Sequence, residues 1–166
     1  MPKPNQIVIN TSPLIAIIAA LGDLNILQSL YMDVFVPFEV CQEILTGGST
    51  GLGVYEFQSA SWLQKQNSPL TISPLLFNSL DLGEASVIQL ALNENISTVC
   101  IDESVGRRIA RLSGLSVTGS IGILLRAKRE GYPLSIKTAI QTMLNYNIRL
   151  SQTVIDVALK EAGEIE

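Results

Sequence analysis

The stretch TVCIDESVGRRIAR, Thr98 to Arg111, decides the fold. Thr98 to Ile101 is a short, wholly core-suited run of the kind that lies in the centre of a parallel sheet. Asp102 ends it. Ser104 to Leu112 then switches to helical spacing, with Val105, Ile109 and Leu112 at i, i+4 and i+7 predicted to face inward and Gly114 as the stop. A strand that gives way at once to a helix is half of a βαβ unit, and an acid between the two halves stands on the carboxyl edge of the sheet, where such folds collect ligands.

The same alternation runs outward in both directions. Upstream, Gln6 to Asn10 reads as a first strand, and Ser12 and Pro13 open a helix that continues through Leu21 to a stop at Gly22. Asp23 caps a second helix through Leu30. Asp33 to Val36 is a second strand, and Pro37 opens a helix with Val40, Ile44 and Leu45 on one apolar side. Thr46 to Gly53 is a glycine-rich loop, followed by a short helix around Val54 to Ala60. Pro69 to Ser73 reads as a third strand, and Asp81 starts a helix through Asn93 with Ala85, Ile88 and Leu92 at helical spacing. Downstream, Leu115 to Thr118 is a fifth strand. Helices follow over Ile121 to Arg129, Pro133 to Tyr146 and Ser151 to Ala162. The pattern predicts one α/β domain over residues 1–166, with about five parallel strands between layers of seven to nine helices.

Four segments place an acid or amide at the carboxyl edge: Asn10 after the first strand, Glu43 in VPFEVCQEI, Glu84 in LDLGEASVIQLAL, and Asp102. Each has an ordinary account. Asn10 suits a helix cap, Asp102 can cap or pair with Arg107, and Asp81 with Glu84 forms the D-x-x-E of a capping box. Glu43 lies about 9 Å along its helix from Pro37, and Glu39, in the first turn, is its rival. Glu103 is a candidate for a supporting acid only. Three carboxylates and an amide oxygen in one hollow would repel one another without a cation, and an all-oxygen set suits Mg²⁺ or Mn²⁺.

Composition removes alternatives. The 166 residues contain no histidine, so a Ser-His-Asp triad and an imidazole metal ligand are excluded. Cys41 and Cys100 are too few for structural zinc and read as buried thiols. Gly83, Gly106 and Gly122 form no dinucleotide fingerprint, and no P-loop lysine is present. A phosphoacceptor domain would need paired acids at Val8-Ile9-Asn10 and a lysine at Val117-Thr118-Gly119. The longest apolar run, Leu14 to Leu21, is eight residues, far below the ~18 that span a bilayer. The opening lacks the order of a signal peptide, which makes the cytoplasm the expected compartment. Net charge is −4, yet six of the eleven basic residues (Arg107, Arg108, Arg111, Arg126, Lys128 and Arg129) fall in one stretch. Such a stripe is either a solvated helix face or a surface for phosphates.

In sequence, the chain resembles the PIN-domain ribonucleases, in particular a branch that opens N-T-S-P-L-I or D-T-S-P-L-I, here Asn10 to Ile15. The likeness continues through V-P-x-x-V-x-x-E (Val36, Pro37, Val40, Glu43), D-x-G-E-A (Asp81, Gly83, Glu84, Ala85), I-D-E with R-R-I-A-R, and Thr118 to Gly131. It implies a Rossmann-like three-layer sandwich and Mg²⁺- or Mn²⁺-dependent endonuclease chemistry on RNA. It implies catalytic roles for Asn10, Glu43, Glu84 and Asp102, with Asn10, Glu84 and Asp102 on the metal. Arg107, Arg108, Arg126 and Lys128 are the expected RNA contacts. Many PIN proteins are homodimers, and many are toxins paired with an antitoxin protein. Asn10 stands where the family usually has its first aspartate. An amide keeps the oxygen and loses a charge, so the alternative is a weakened module that binds RNA or a partner.

Overall fold

A computed structural model describes residues 5–47 and 51–164. In chain order the elements are β1 (Gln6–Ile9), α1 (Thr11–Leu21), α2 (Asn25–Leu30), β2 (Asp33–Val36), α3 (Phe38–Leu45), α4 (Val54–Ser59), β3 (Gln64–Lys65) and α5 (Pro74–Ser79). They continue with α6 (Leu82–Asn93), β4 (Thr98–Cys100), α7 (Ser104–Leu112), β5 (Ser116–Thr118), α8 (Ser120–Arg129), α9 (Ile136–Asn145) and α10 (Gln152–Glu161). The five strands are all parallel, in the order β3-β2-β1-β4-β5. In register, Val8 lies beside Phe35 of β2 and Val99 of β4.

This order sets the position of any site. Chain direction across the sheet reverses between β1 and β4, so the crevice beyond their carboxyl ends is the topological switch point where ligands bind in open α/β sheets. Asn10 and Asp102 follow those two strands. Helices α1, α8 and α9 pack together as one layer, and α5, α6 and α7 as the other, while α3 touches both α1 and α6. β1 is buried between them, with Ile7, Val8 and Ile9 fully enclosed. Each such side chain contributes roughly 1.5–3 kcal/mol of burial free energy.

Helix ends follow local chemistry. Gly22 adopts a left-handed conformation, φ 84°, and its N–H donates to the Ile18 carbonyl, closing α1 as expected. Ser135 and Ser151 cap α9 and α10 by accepting from the N–H groups of Thr138 and Val154, so both helices begin later than the sequence suggests. α1 begins earlier, at Thr11 rather than at Ser12 and Pro13. Both cysteines are free and buried, and among the described residues no helix is long and apolar enough to cross a membrane.

Two expectations need correction. Pro69 to Ser73 is not a strand. The Leu70 N–H donates to Glu39 Oε2 at 2.8 Å and the Ser73 N–H to Gln89 Oε1 at 2.9 Å, so side chains of α3 and α6 take the backbone donors a sheet would need. The third strand is the two-residue β3, and the segment beyond Ser73 forms the unexpected α5, which makes ten helices among the described residues. Second, α7 buries Gly106 and Ala110, with Ile109 half-buried, whereas Val105 and Leu112 are 58% and 77% exposed. Small residues let this helix approach its neighbours closely, and its larger apolar side chains point away. Leu45 and Leu92 likewise lie at the exposed margins of their helices. Part of the Thr46 to Gly53 loop, residues 48–50, lies outside the described residues.

Candidate functional site

The chain reverses sharply from β1 into α1 at Asn10, whose N–H donates to the Cys100 carbonyl at 3.0 Å and so ties the ends of β1 and β4 together. Asn10 occupies the N-cap position of α1, yet its side chain makes no capping hydrogen bond. It is 4% exposed, and Oδ1 is buried without a partner. A buried acceptor left unmade costs about 1–3 kcal/mol. Capping does not account for this residue.

Gly83 shows where that oxygen points. A Cβ built on Gly83 would lie 3.2 Å from Asn10 Oδ1, 2.8 Å from Glu43 Oε2 and 3.6 Å from Asp81 Oδ1. Three side-chain oxygens from the β1 end, α3 and the α6 cap therefore crowd a point that only glycine leaves free. Asp81 does cap α6: its Oδ1 accepts the Glu84 N–H at 2.9 Å. Sequence reasoning assigned it that role alone and missed its second one, membership of the oxygen cluster. The repeated acid of D-x-G-E was the available signal.

Glu84, in the first turn of α6, is 6% exposed and packs toward Gly106 of α7 and Ile101. Its Oε2 is buried without a partner. Burial raises its pKa to about 7, helped by a hydrogen bond and charge from Asp81 and by the Glu103 charge, against a smaller lowering by the Asp81 backbone N–H. Partial burial also raises Glu43, with the Asp81 charge adding and the Thr11 hydroxyl opposing. Asp81, Glu84 and Glu103 line a shallow cavity of about 380 Å³ together with Asn78 and Val105.

Asp102 is anchored to the start of α8. Its Oδ1 accepts the Ser120 N–H at 2.8 Å and its Oδ2 the Ser120 hydroxyl at 2.9 Å, so it joins the end of β4 to the start of α8. It lines a different cavity, of about 550 Å³, and the two cavities share no lining residue. Among the described residues no three acidic or cysteine side chains lie close enough to hold one ion. The described residues thus place Asn10, Glu43 and Asp81 oxygens around Gly83, Glu84 against Gly106, and Asp102 against Ser120.

Glu39, the rival of Glu43, is buried beneath the Pro69 to Ser73 segment, with Oε2 bound to the Leu70 N–H. The basic residues also divide. Arg107 lies near Asp102, with its Nη1 donating to the Ile101 carbonyl at 2.9 Å, and Arg108 is exposed. Arg126 pairs with Glu130 and lies over the Tyr31 ring, and Lys128 holds the Ala162 carbonyl and Glu164. Those two sit on the far part of α8, and their donors are engaged within the fold.

The oxygen donors fit a hard cation. Asn10 Oδ1 and Glu84 Oε2 are buried without partners, and the Glu84 carboxyl, its pKa raised by burial, has no ion pair among the described residues. The PIN-domain family model matches residues 6–164. The chain belongs to the PIN-domain family. A PIN domain is a nuclease-type fold, and the five-stranded parallel sheet between helical layers agrees with it. No curated protein matches the sequence.

Proposed function

We propose that this PIN domain is a divalent-metal-dependent endoribonuclease. The observation that carries the reading is the crowding of Asn10, Glu43 and Asp81 oxygens around Gly83, next to the buried carboxyl of Glu84. Asn10, Glu84 and Asp102 are the residues that would hold Mg²⁺ or Mn²⁺. Bound there, the ion would supply Lewis-acid polarisation of the phosphodiester and a more acidic attacking water. Asp102 keeps lone pairs for this, since each of its oxygens accepts a single hydrogen bond. Glu43, beside Asn10, would order a water and take up its proton, for which a raised pKa is suited. Asp81 orients Glu84 through the helix start that both share. Arg107 and Arg108 would steer the RNA backbone.

The same reading makes the chain a candidate toxin of a type II pair, with an antitoxin protein as partner, acting in the cytoplasm as a homodimer. Its test is cleavage of single-stranded RNA with Mn²⁺ or Mg²⁺. Cleavage is expected to vanish with EDTA and to fall steeply in Asp102→Asn. Metal-independent cleavage that survives Asp102→Asn overturns the reading.

One observation favours a second reading, a weakened module that binds RNA without cutting it. Asn10 supplies no charge, and no three carboxylates are gathered among the described residues. Asn10→Asp separates the two: a gain of metal-dependent cleavage over an inert wild type marks a binding module that descends from a nuclease.

A further inference from the structure

The 550 Å³ cavity beside Asp102 has a lining that metal chemistry does not require. Ile121 of α8, Ile148 and Leu150 of the loop after α9, and Val154 of α10 give it apolar lining, beside Thr118, Ser120 and Ser151. Two guanidinium groups, Arg107 and Arg149, stand at its border. Among the described residues neither is ion-paired, in contrast to Arg126 and Lys128. Arg107 is held in place by its bond to the Ile101 carbonyl, and a Cβ on Gly119 would lie 2.8 Å from its Nη1 and 2.7 Å from Asp102 Oδ1. The absent side chain keeps this border open next to the carboxylate.

From this geometry we infer that the cavity is a subsite for one unpaired nucleotide of the RNA strand, adjoining the bond to be cut. A cavity of this volume with apolar and polar lining accepts a base, and bases in RNA reach such a cavity only when they are out of the helix. The guanidinium groups then take the flanking phosphate, and the charge of Asp102 is already turned to the Ser120 N–H and hydroxyl. Duplex RNA, whose bases are stacked and paired, is rejected by shape. Arg149 becomes a specificity residue that no sequence motif singled out. The inference rests on the ribonuclease reading for its substrate, but the subsite itself needs no metal.

The test is binding of a fluorescent single-stranded oligoribonucleotide to the full chain in EDTA, with a duplex of the same sequence and a free mononucleotide as comparison probes. Val154 is 41% exposed, so Val154→Asp alters the cavity at little cost to folding. We expect single strands to bind at least about tenfold tighter than duplex. Arg149→Ala is expected to weaken that binding about tenfold and to lower its salt slope by about 1, with Arg149→Lys recovering part of it. Val154→Asp is expected to weaken it by a similar factor. Equal affinity for duplex and single strand, or no effect of both variants, overturns the subsite. Binding of the mononucleotide as tightly as the oligonucleotide also overturns it, and assigns the cavity to a free nucleotide. Loss of Mn²⁺-dependent cleavage with these binding effects intact would defeat the nuclease reading and leave the subsite standing.

Discussion

Asn10, Gly83 and Glu84 carry the account at the level of single residues. A carboxylate at position 10 would add charge to a buried spot already crowded by Glu43 and Asp81. Asn10→Asp is therefore expected to destabilise the metal-free protein by about 1–3 kcal/mol in urea unfolding, and Mn²⁺ should restore the loss. Glu84→Gln should act in the opposite sense. It removes a buried carboxyl whose ionisation is resisted, so at pH 8 in EDTA the variant should be more stable than wild type, on the order of 1–3 kcal/mol. Gly83→Ala adds a methyl against Glu43 Oε2 in a helix that tolerates alanine, so stability should change by less than about 1 kcal/mol while divalent affinity falls. The residue types at these positions were legible in the sequence; their grouping was not. Asn10 has the same identity whether it caps a helix or faces a neighbour, and only the missing cap bond separates the two. Asp81 does both jobs, and a capping box read along the chain hides its second role.

Whole elements were legible where the period was clean and two or more turns long. α1, α6 and α8 lie close to their predicted bounds because apolar spacing marks all three and a glycine follows the ends of α1 and α8. β3 was out of reach: two residues, Gln64 and Lys65, cannot display an alternation, and their place in the sheet comes from pairing with Phe35 and Val36. Pro69 to Ser73 misled for the converse reason, since its composition suits a strand while its N–H groups are taken by Glu39 and Gln89. The closing helices hold together through Glu164, whose carboxylate accepts from Lys128 Nζ at 2.6 Å, the Ser135 hydroxyl at 2.7 Å and the Ile136 and Lys137 N–H groups. Burial alone would raise its pKa, but these four donors outweigh it and bring it down to about 2. A depressed carboxyl stabilises the fold above its unfolded value near 4.5, and that contribution is lost as pH falls toward 2. Glu164→Gln should thus unfold about 1 kcal/mol more easily at pH 7, with the gap from wild type closing in acid denaturation between pH 4.5 and 2.

For the molecule as a whole, the strand order explains why residues distant in the chain meet at all. The reversal between β1 and β4 brings Asn10 and Asp102 to one crevice, and the helices that follow β2 and β3 bring in Glu43 and Glu84. That architecture could be read from alternating strands and helices, because each parallel connection forces a helix onto a sheet face. The hold of Ser120 on Asp102 could not, since it depends on where the start of α8 meets the end of β4. Titration calorimetry of Mn²⁺ into the metal-free protein and into Glu84→Gln at pH 8 tests the central claim most directly. The account predicts saturable binding by the wild type and binding weakened roughly 10-fold or more in the variant. No heat of binding in the wild type, or equal affinity in both proteins, would contradict it.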